Sequence, residues 1–268
     1  MERFRIDEHQ ELIYNNGRWV LHVDGTAKED PPESLYKYFP LTEYSLDALE
    51  KGYFYLNNPK DFNDPFDCNY NLITENQREL RDWEYVPLPN DVSNKGITCF
   101  STDGLNPLMW GHYTKSYNGF VVKINPKFHY NPSPKIISAK LLRVIYSDYP
   151  NSIAQSAPFA NQYQLIIKLK DWEYENEWRL IIDKKEDNFC ELFYDTSAIE
   201  EISLGYKMHH NFDDEHTKLR NRLDKIIQEK YFHVPLFSVG PHQTEFKLNK
   251  IKFKYGTVED IFPNLKND

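Results

Sequence analysis

Residues 172–182 carry the pattern around which the rest of the chain reads: Trp172-Glu173-Tyr174-Glu175-Asn176-Glu177-Trp178-Arg179, then Leu180-Ile181-Ile182. As a strand, its period of two puts Glu175, Glu177 and Arg179 on one face and Trp178, Leu180 and Ile182 on the other. One face then predicts a core, and the other carries two carboxylates and a guanidinium. The plainest form of such a strand has a solvated outer face, with an exposed ion pair worth less than ~1 kcal/mol.

The same pattern logic divides the chain. Alternation over residues 10–23, interrupted by Asn16-Gly17, predicts a β-hairpin with a type I′ turn. It is read as an N-terminal extension, residues 1–30, joined by a polar linker around 24–34 to a single domain over 31–268. Within that domain Leu35-Tyr36-Lys37-Tyr38-Phe39 reads as a strand ended by Pro40. Thr42 caps a short helix through Lys51, and Gly52 ends it. A strand over 53–56 leads to Phe62-Asn63-Asp64-Pro65-Phe66-Asp67, a loop of short side chains that bond their own backbone. A helix near 75–83 and a buried strand over 96–101 follow. Asn106-Pro107 starts a helix carrying Met109-Trp110-Gly111-His112-Tyr113. Strands are expected at 120–124 and 140–146, and a helix from about Phe159 to Lys170. Beyond the central pattern come strands near 189–194 and 199–204, a charged helix near 212–230, and strands at 234–239 and 245–253. Strands and helices neither alternate regularly nor cluster at sandwich spacing, so the class is α+β, with a mixed, mostly antiparallel sheet and flanking helices.

Composition narrows the function. A length of 268 residues with 40% hydrophobic content is enough for one full core. The formal charge of −9 argues against strong non-specific binding of nucleic acid through a basic face. Cys68, Cys99 and Cys190 have no paired spacing and read as reduced thiols. The first residues lack an apolar signal region, and no run reaches the ~18 apolar residues of a membrane span. A cytoplasmic protein with no membrane partner is expected, acting on an unidentified small molecule or macromolecular target. Its oligomeric state is not written in these patterns. The 15% aromatic content supplies core mass and stacking surfaces.

No GxGxxG, Walker, GxSxG or HExxH motif is present. His209-His210 with Asp213, Asp214 and His216 lacks a ligand spacing of known geometry and reads as solvated surface, so no metal ligands are assigned. Five motifs in order, Leu35-Tyr36-Lys37-Tyr38, Phe62-Asn63-Asp64-Pro65-Phe66, Cys99-Phe100-Ser101, Met109-Trp110-Gly111-His112-Tyr113 with Gly119-Phe120, and Trp172 with Glu175-Asn176-Glu177-Trp178-Arg179, resemble a bacterial domain-of-unknown-function family, the one numbered 2971. The resemblance spans about residues 35–250.

The order of motifs is also similar to the ADP-ribosyltransferase superfamily, which implies that fold and an NAD-dependent glycosyl-bond cleavage of toxin or phage-defence type. In that superfamily a polar residue on an early strand and a Ser or Tyr on a second hold NAD. A later Glu stabilises the oxocarbenium-like charge as nicotinamide leaves. Carried over, Ser101-Thr102 match the second strand and Glu175 and Glu177 the final Glu-x-Glu. The early strand offers Tyr36, Lys37 and Tyr38 where Arg or His is expected.

The residues themselves support that chemistry without the resemblance. A carboxylate facing developing positive charge is commonly the largest catalytic effect, Arg179 can grip a phosphate bidentately, and tyrosines can stack a base. Taken with the resemblance, the catalytic set is Glu177, Glu175, Arg179 and His112. The resemblance implies an NAD-binding set of Tyr36, Lys37, Tyr38, Ser101, Thr102, Asn63, Asp64 and Tyr113. The same Glu/Arg set fits Mg2+-assisted phosphodiester hydrolysis, a buried ion network without chemistry, or a ligand- or partner-sensing module. Three structural expectations follow. Asn63-Asp64-Pro65 should border one cleft with His112-Tyr113, Trp110 and Trp178 should be core, and Glu177→Gln should abolish activity with the melting temperature nearly unchanged.

Overall fold

The computed structural model describes residues 2–15, 18–28, 32–74, 94–157, 159–209 and 213–253. The Asn16-Gly17 turn, the helix near 75–83 and His210 lie outside these residues.

In chain order, β1 (Arg3–Arg5), β2 (Gln10–Asn15), β3 (Arg18–Val23) and β4 (Thr26–Ala27) form a four-stranded antiparallel sheet around the expected hairpin. β5 (Leu35–Pro40) leads into α1 (Glu43–Lys51), where Thr42 Oγ1 accepts the Ser45 N–H and Gly52 turns left-handed at φ 72°. β6 (Tyr53–Tyr55), β7 (Lys95–Ser101), α2 (Pro107–Tyr113) and β8 (Gly119–Ile124) follow. Next come β9 (Ile136–Arg143), β10 (Ile145–Tyr146), α3 (Ala160–Ile166) and β11 (Ile167–Lys168). The chain closes with β12 (Glu177–Lys184), β13 (Glu191–Phe193), β14 (Ile199–Gly205), α4 (Asp214–Lys230), β15 (Leu236–Pro241) and β16 (Leu248–Lys252).

Eight strands make the main sheet in the order β16-β15-β14-β8-β5-β7-β12-β9. All neighbours are antiparallel except β14 and β15. This is the mixed, mostly antiparallel α+β arrangement that the pattern indicates. β5 pairs with β8 from Leu35 to Pro40 and β7 pairs with β12 from Lys95 to Ser101, but β5 and β7 meet only at Tyr36 and Ser101. Away from that rung the sheet parts, and a cleft opens between its halves.

Three differences from the sequence reading bear on the site. The strand expected at 140–146 begins at Ile136 and ends at Arg143, after which Ile145-Tyr146 leaves the main sheet. The helix expected through Lys170 stops at Ile166, because Ile167 and Lys168 pair in parallel with Ile145 and Tyr146. Ladder pairing of two short segments here overrides local helical preference. Finally, Lys170–Glu175 is a 3-10 turn, and Asn176, at φ 45°, reverses the chain before β12. Asn tolerates this conformation at small cost, so the alternation begins at Glu177 and not at Glu175.

One core lies between the sheet and α1 and α4, and contains Phe100, Trp178, Leu180 and Ile182. A second joins Ile6, Leu12 and Leu21 of the N-terminal segment to Ile145, Tyr163 and Ile181. Trp110 and Trp178 are both buried, as expected. The N-terminal sheet is also held by polar contacts. Gln10 Nε2 donates to the Tyr146 carbonyl at 2.7 Å, and the Asn151 N–H donates to the Ile6 carbonyl at 2.7 Å. Among the described residues no helix is long and apolar enough to cross a membrane.

Candidate functional site

Tyr36, Ser101 and Glu177 are direct partners on the neighbouring strands β5, β7 and β12. Cross-strand partners share a face, so the three early-, second- and late-strand positions form one rung at the head of the cleft. The cavity there has a volume of about 280 Å³. Tyr36, Lys37, Tyr38, Ser101, Tyr113, Glu175 and Glu177 line it. Phe62, Asn63 and Asp67 of the loop after β6 complete the wall.

Local hydrogen bonds explain why these groups hold their places. Ser101 Oγ donates to the Glu175 carbonyl at 2.6 Å and accepts the Asp103 N–H at 3.0 Å, which ties β7 to the turn before β12. The Thr102 N–H donates to the Asn176 carbonyl at 3.1 Å and steadies the same turn. Lys37 Nζ crosses the opening between β5 and β7 to Thr98 Oγ1 and the Cys99 carbonyl, each at 2.9 Å. Burial pushes its ammonium pKa down.

Behind the rung lies an ion network. Arg179 is fully buried. Its Nη1 and Nη2 each donate to Asp67 at 2.7 Å, and its Nε and Nη2 donate to Glu177 at 2.8 and 3.0 Å. Nη1 also donates to the Leu165 carbonyl at 2.6 Å. These contacts occupy all five donors of a guanidinium. Lys168 Nζ donates to Glu175 at 2.5 Å and Glu177 at 3.0 Å, and lies 3.6 Å from Asp67. Tyr113 Oη donates to the other Glu175 oxygen at 2.5 Å, and the Glu177 N–H donates to Tyr146 Oη at 2.8 Å.

The two glutamates therefore differ in electrostatics. Burial pushes the Glu177 carboxyl up, but Arg179 and Lys168, by charge and hydrogen bonds, overcome this and hold it well below the usual range. For Glu175, burial and the neighbouring Glu177 charge raise the carboxyl, and Lys168 and Tyr113 offset only part of the rise. Two carboxylates pushed apart in this way are suited to different tasks.

Of the assigned site residues, Lys37, Ser101, Glu175 and Glu177 line one cavity. His112 does not. Successive helix residues point about 100° apart, so Tyr113 faces the cleft while His112 is exposed beside Trp172 and Tyr174. Asn63 lines the cavity, whereas Asp64 is buried in its own turn, with Oδ1 accepting the Phe66 N–H at 2.9 Å. Thr102 is likewise a backbone support and not a wall of the cavity. Arg179 reaches the cavity wall, but its five donors are paired within the protein, which leaves none free for the phosphate expected there. The solvated outer face with an exposed ion pair is overturned as well, because Glu175, Glu177 and Arg179 are all buried. Both Glu177 oxygens accept from cations, so Glu177→Gln is now expected to lower the melting temperature.

Sequence reasoning missed Asp67 and Lys168. Asp67 stands in the loop already singled out, and Lys168 is a lone charge within Leu165-Ile166-Ile167-Lys168-Leu169. A solitary charge in an apolar run is the signal that marks such a residue. Asp213, from the His/Asp group, caps α4 by accepting the His216 N–H at 2.9 Å. No group of three or more His, Cys, Asp or Glu among the described residues is placed to hold a metal ion.

The family model described as "Protein of unknown function (DUF2971)" matches residues 109–180, which supports that family. The match runs from α2 into β12 and includes Tyr113, Lys168, Glu175, Glu177 and Arg179, while Tyr36, Asn63 and Ser101 fall before it. Neither the curated proteins nor the solved structures contain a match to the chain.

Proposed function

We propose that the protein is an ADP-ribosyltransferase-like enzyme that binds NAD in the cleft between β5 and β7 and cleaves its nicotinamide glycosyl bond. The observation that carries this reading is the single rung Tyr36–Ser101–Glu177, which unites three residues widely separated in sequence. NAD supplies a cationic pyridinium leaving group. The residues present suit its nicotinamide-ribose half: the cavity of about 280 Å³ is near the lower end of ligand pockets, and Tyr36, Phe62 and Tyr113 offer ring surfaces. Glu177, kept anionic by Arg179 and Lys168, opposes positive charge that develops on the ribose. Glu175, hydrogen-bonded to Tyr113, orients the acceptor and exchanges a proton with it. Lys37 is committed to Thr98 and Cys99, so the early-strand contact falls to Tyr36. An enzyme of this kind drains NAD or modifies a cellular target, which fits a toxin or phage-defence role.

A ligand-sensing module is the second reading, favoured by the complete internal pairing of Arg179. Incubating the purified protein with NAD and measuring nicotinamide release separates the two. Release is expected from the parent and is expected to fall at least about 100-fold in Glu177→Gln that is folded by circular dichroism. Binding of NAD without release favours the sensor, and absence of both binding and release removes the transferase reading.

A further inference from the structure

We propose that Lys168 is a positioning residue that gathers Glu175 and Glu177 onto one ammonium and so fixes the division of labour between them. The division of labour rests on the NAD-cleaving reading; the gathering itself does not. Glu175 and Glu177 do not share a strand, because the 3-10 turn and left-handed Asn176 separate them. What brings their carboxylates together is Lys168, within hydrogen-bond distance of Oε2 on both. Lys168 is itself placed from outside the main sheet. It pairs with Tyr146 across β10 and β11, and the Ser147 N–H holds its carbonyl at 3.0 Å. One two-residue ladder thus delivers both a phenol oxygen to the Glu177 backbone and an ammonium to the two side chains. The Trp172 ring, 5.1 Å from Nζ, covers the ammonium.

Among the described residues, charged and titratable groups face this pair from several elements, with Lys37 on β5 and Cys99 on β7 acting on Glu177. β12 contributes Arg179, the β6–β7 loop Asp67, β10 Tyr146, α2 Tyr113, and the 3-10 turn Tyr174. Of the cations at this site, Arg179 donates to Glu177 and Asp67, Lys37 donates to Thr98 and Cys99, and Lys168 is bonded to both Glu175 and Glu177. Removing the ammonium would leave Glu175 facing Glu177 with only the Tyr113 hydroxyl as a donor. Its carboxyl would then rise further, because the opposing charge has gone and the like charge remains. Arg179 would continue to hold Glu177 as an anion.

The test is a carbon-13 NMR titration of the glutamate side-chain carboxyls in the full chain, for the parent, Lys168→Met and Lys168→Arg. The expected result is that the Glu175 midpoint moves to higher pH in Lys168→Met, Glu177 stays ionised, and Lys168→Arg returns the midpoint towards the parent's. An unchanged Glu175 midpoint in folded Lys168→Met overturns the proposal. If Lys168→Met does not fold, nitrogen-15 NMR of the Lys168 ammonium in the parent decides. A signal that shifts in step with the Glu175 titration supports it, and one indifferent to that titration overturns it. Neither readout involves NAD, so a protein that cleaves no NAD but shows the shift keeps this inference while losing the transferase reading.

Discussion

The two faces of β12 are built on one backbone, between the same neighbours β7 and β9, yet they are held in place by opposite means. Trp178, Leu180 and Ile182 pack into the main core chiefly by area and shape, with the Arg143 guanidinium 5.6 Å from the Trp178 ring centroid as the charged contact on that side. On the other face Glu177 and Arg179 are as thoroughly buried, but their place depends on partners 2 to 112 residues away. The apolar face tolerates a change in any one neighbour, losing what that neighbour covered. The ionic face is stable only while complete, because losing one partner leaves another charge buried. Tuned electrostatics thus sit where the fold is least forgiving.

That contrast yields its sharpest test in Arg179→Met. It leaves Asp67 and Glu177 with Lys168 as their remaining cation, and a loss of about 5 kcal/mol is expected in a denaturant titration. Trp178→Ala should cost about 4 kcal/mol. If Arg179→Met proves the milder of the two, the network is not what holds this face. Glu177→Gln should cost about 3 kcal/mol at neutral pH, and its pH dependence sharpens the comparison. A carboxyl held below its ordinary value contributes stability that is present above about pH 4.5 and is lost as pH falls through its folded value. The penalty of Glu177→Gln should therefore shrink on acidification, while that of Trp178→Ala stays constant. Parallel pH curves for the two variants would erase the distinction between the faces.

Much of this arrangement was legible from local chemistry. Thr42 and Gly52 bound α1, and Asn106-Pro107 opens α2, because caps act within a few residues of where they stand. The alternation from Glu177 onward assigned both faces of β12 correctly. The partners of its polar face could not be read the same way. Asp67 lies 112 residues before Arg179, and no periodic signal spans that distance. Lys168 was hidden by a helical pattern that tertiary pairing cuts short at Ile166. His112 and Tyr113 are adjacent in sequence, and only the rotation of α2 decides which one meets the cleft.

The N-terminal sheet bears on how this protein can be cut and joined. Gln10 holds the carbonyl of Tyr146, whose hydroxyl in turn receives the Glu177 N–H. The same Tyr146 pairs with Lys168. A hairpin that looks like a detachable appendage is thus the outer bracket of a bracket that reaches the carboxylates. The segment matched by the family model, 109–180, ends inside β12 and leaves β7, Asp67 and this bracket behind. A chain trimmed of its first thirty residues loses the Gln10–Tyr146 bond and the share of the second core supplied by Ile6, Leu12 and Leu21.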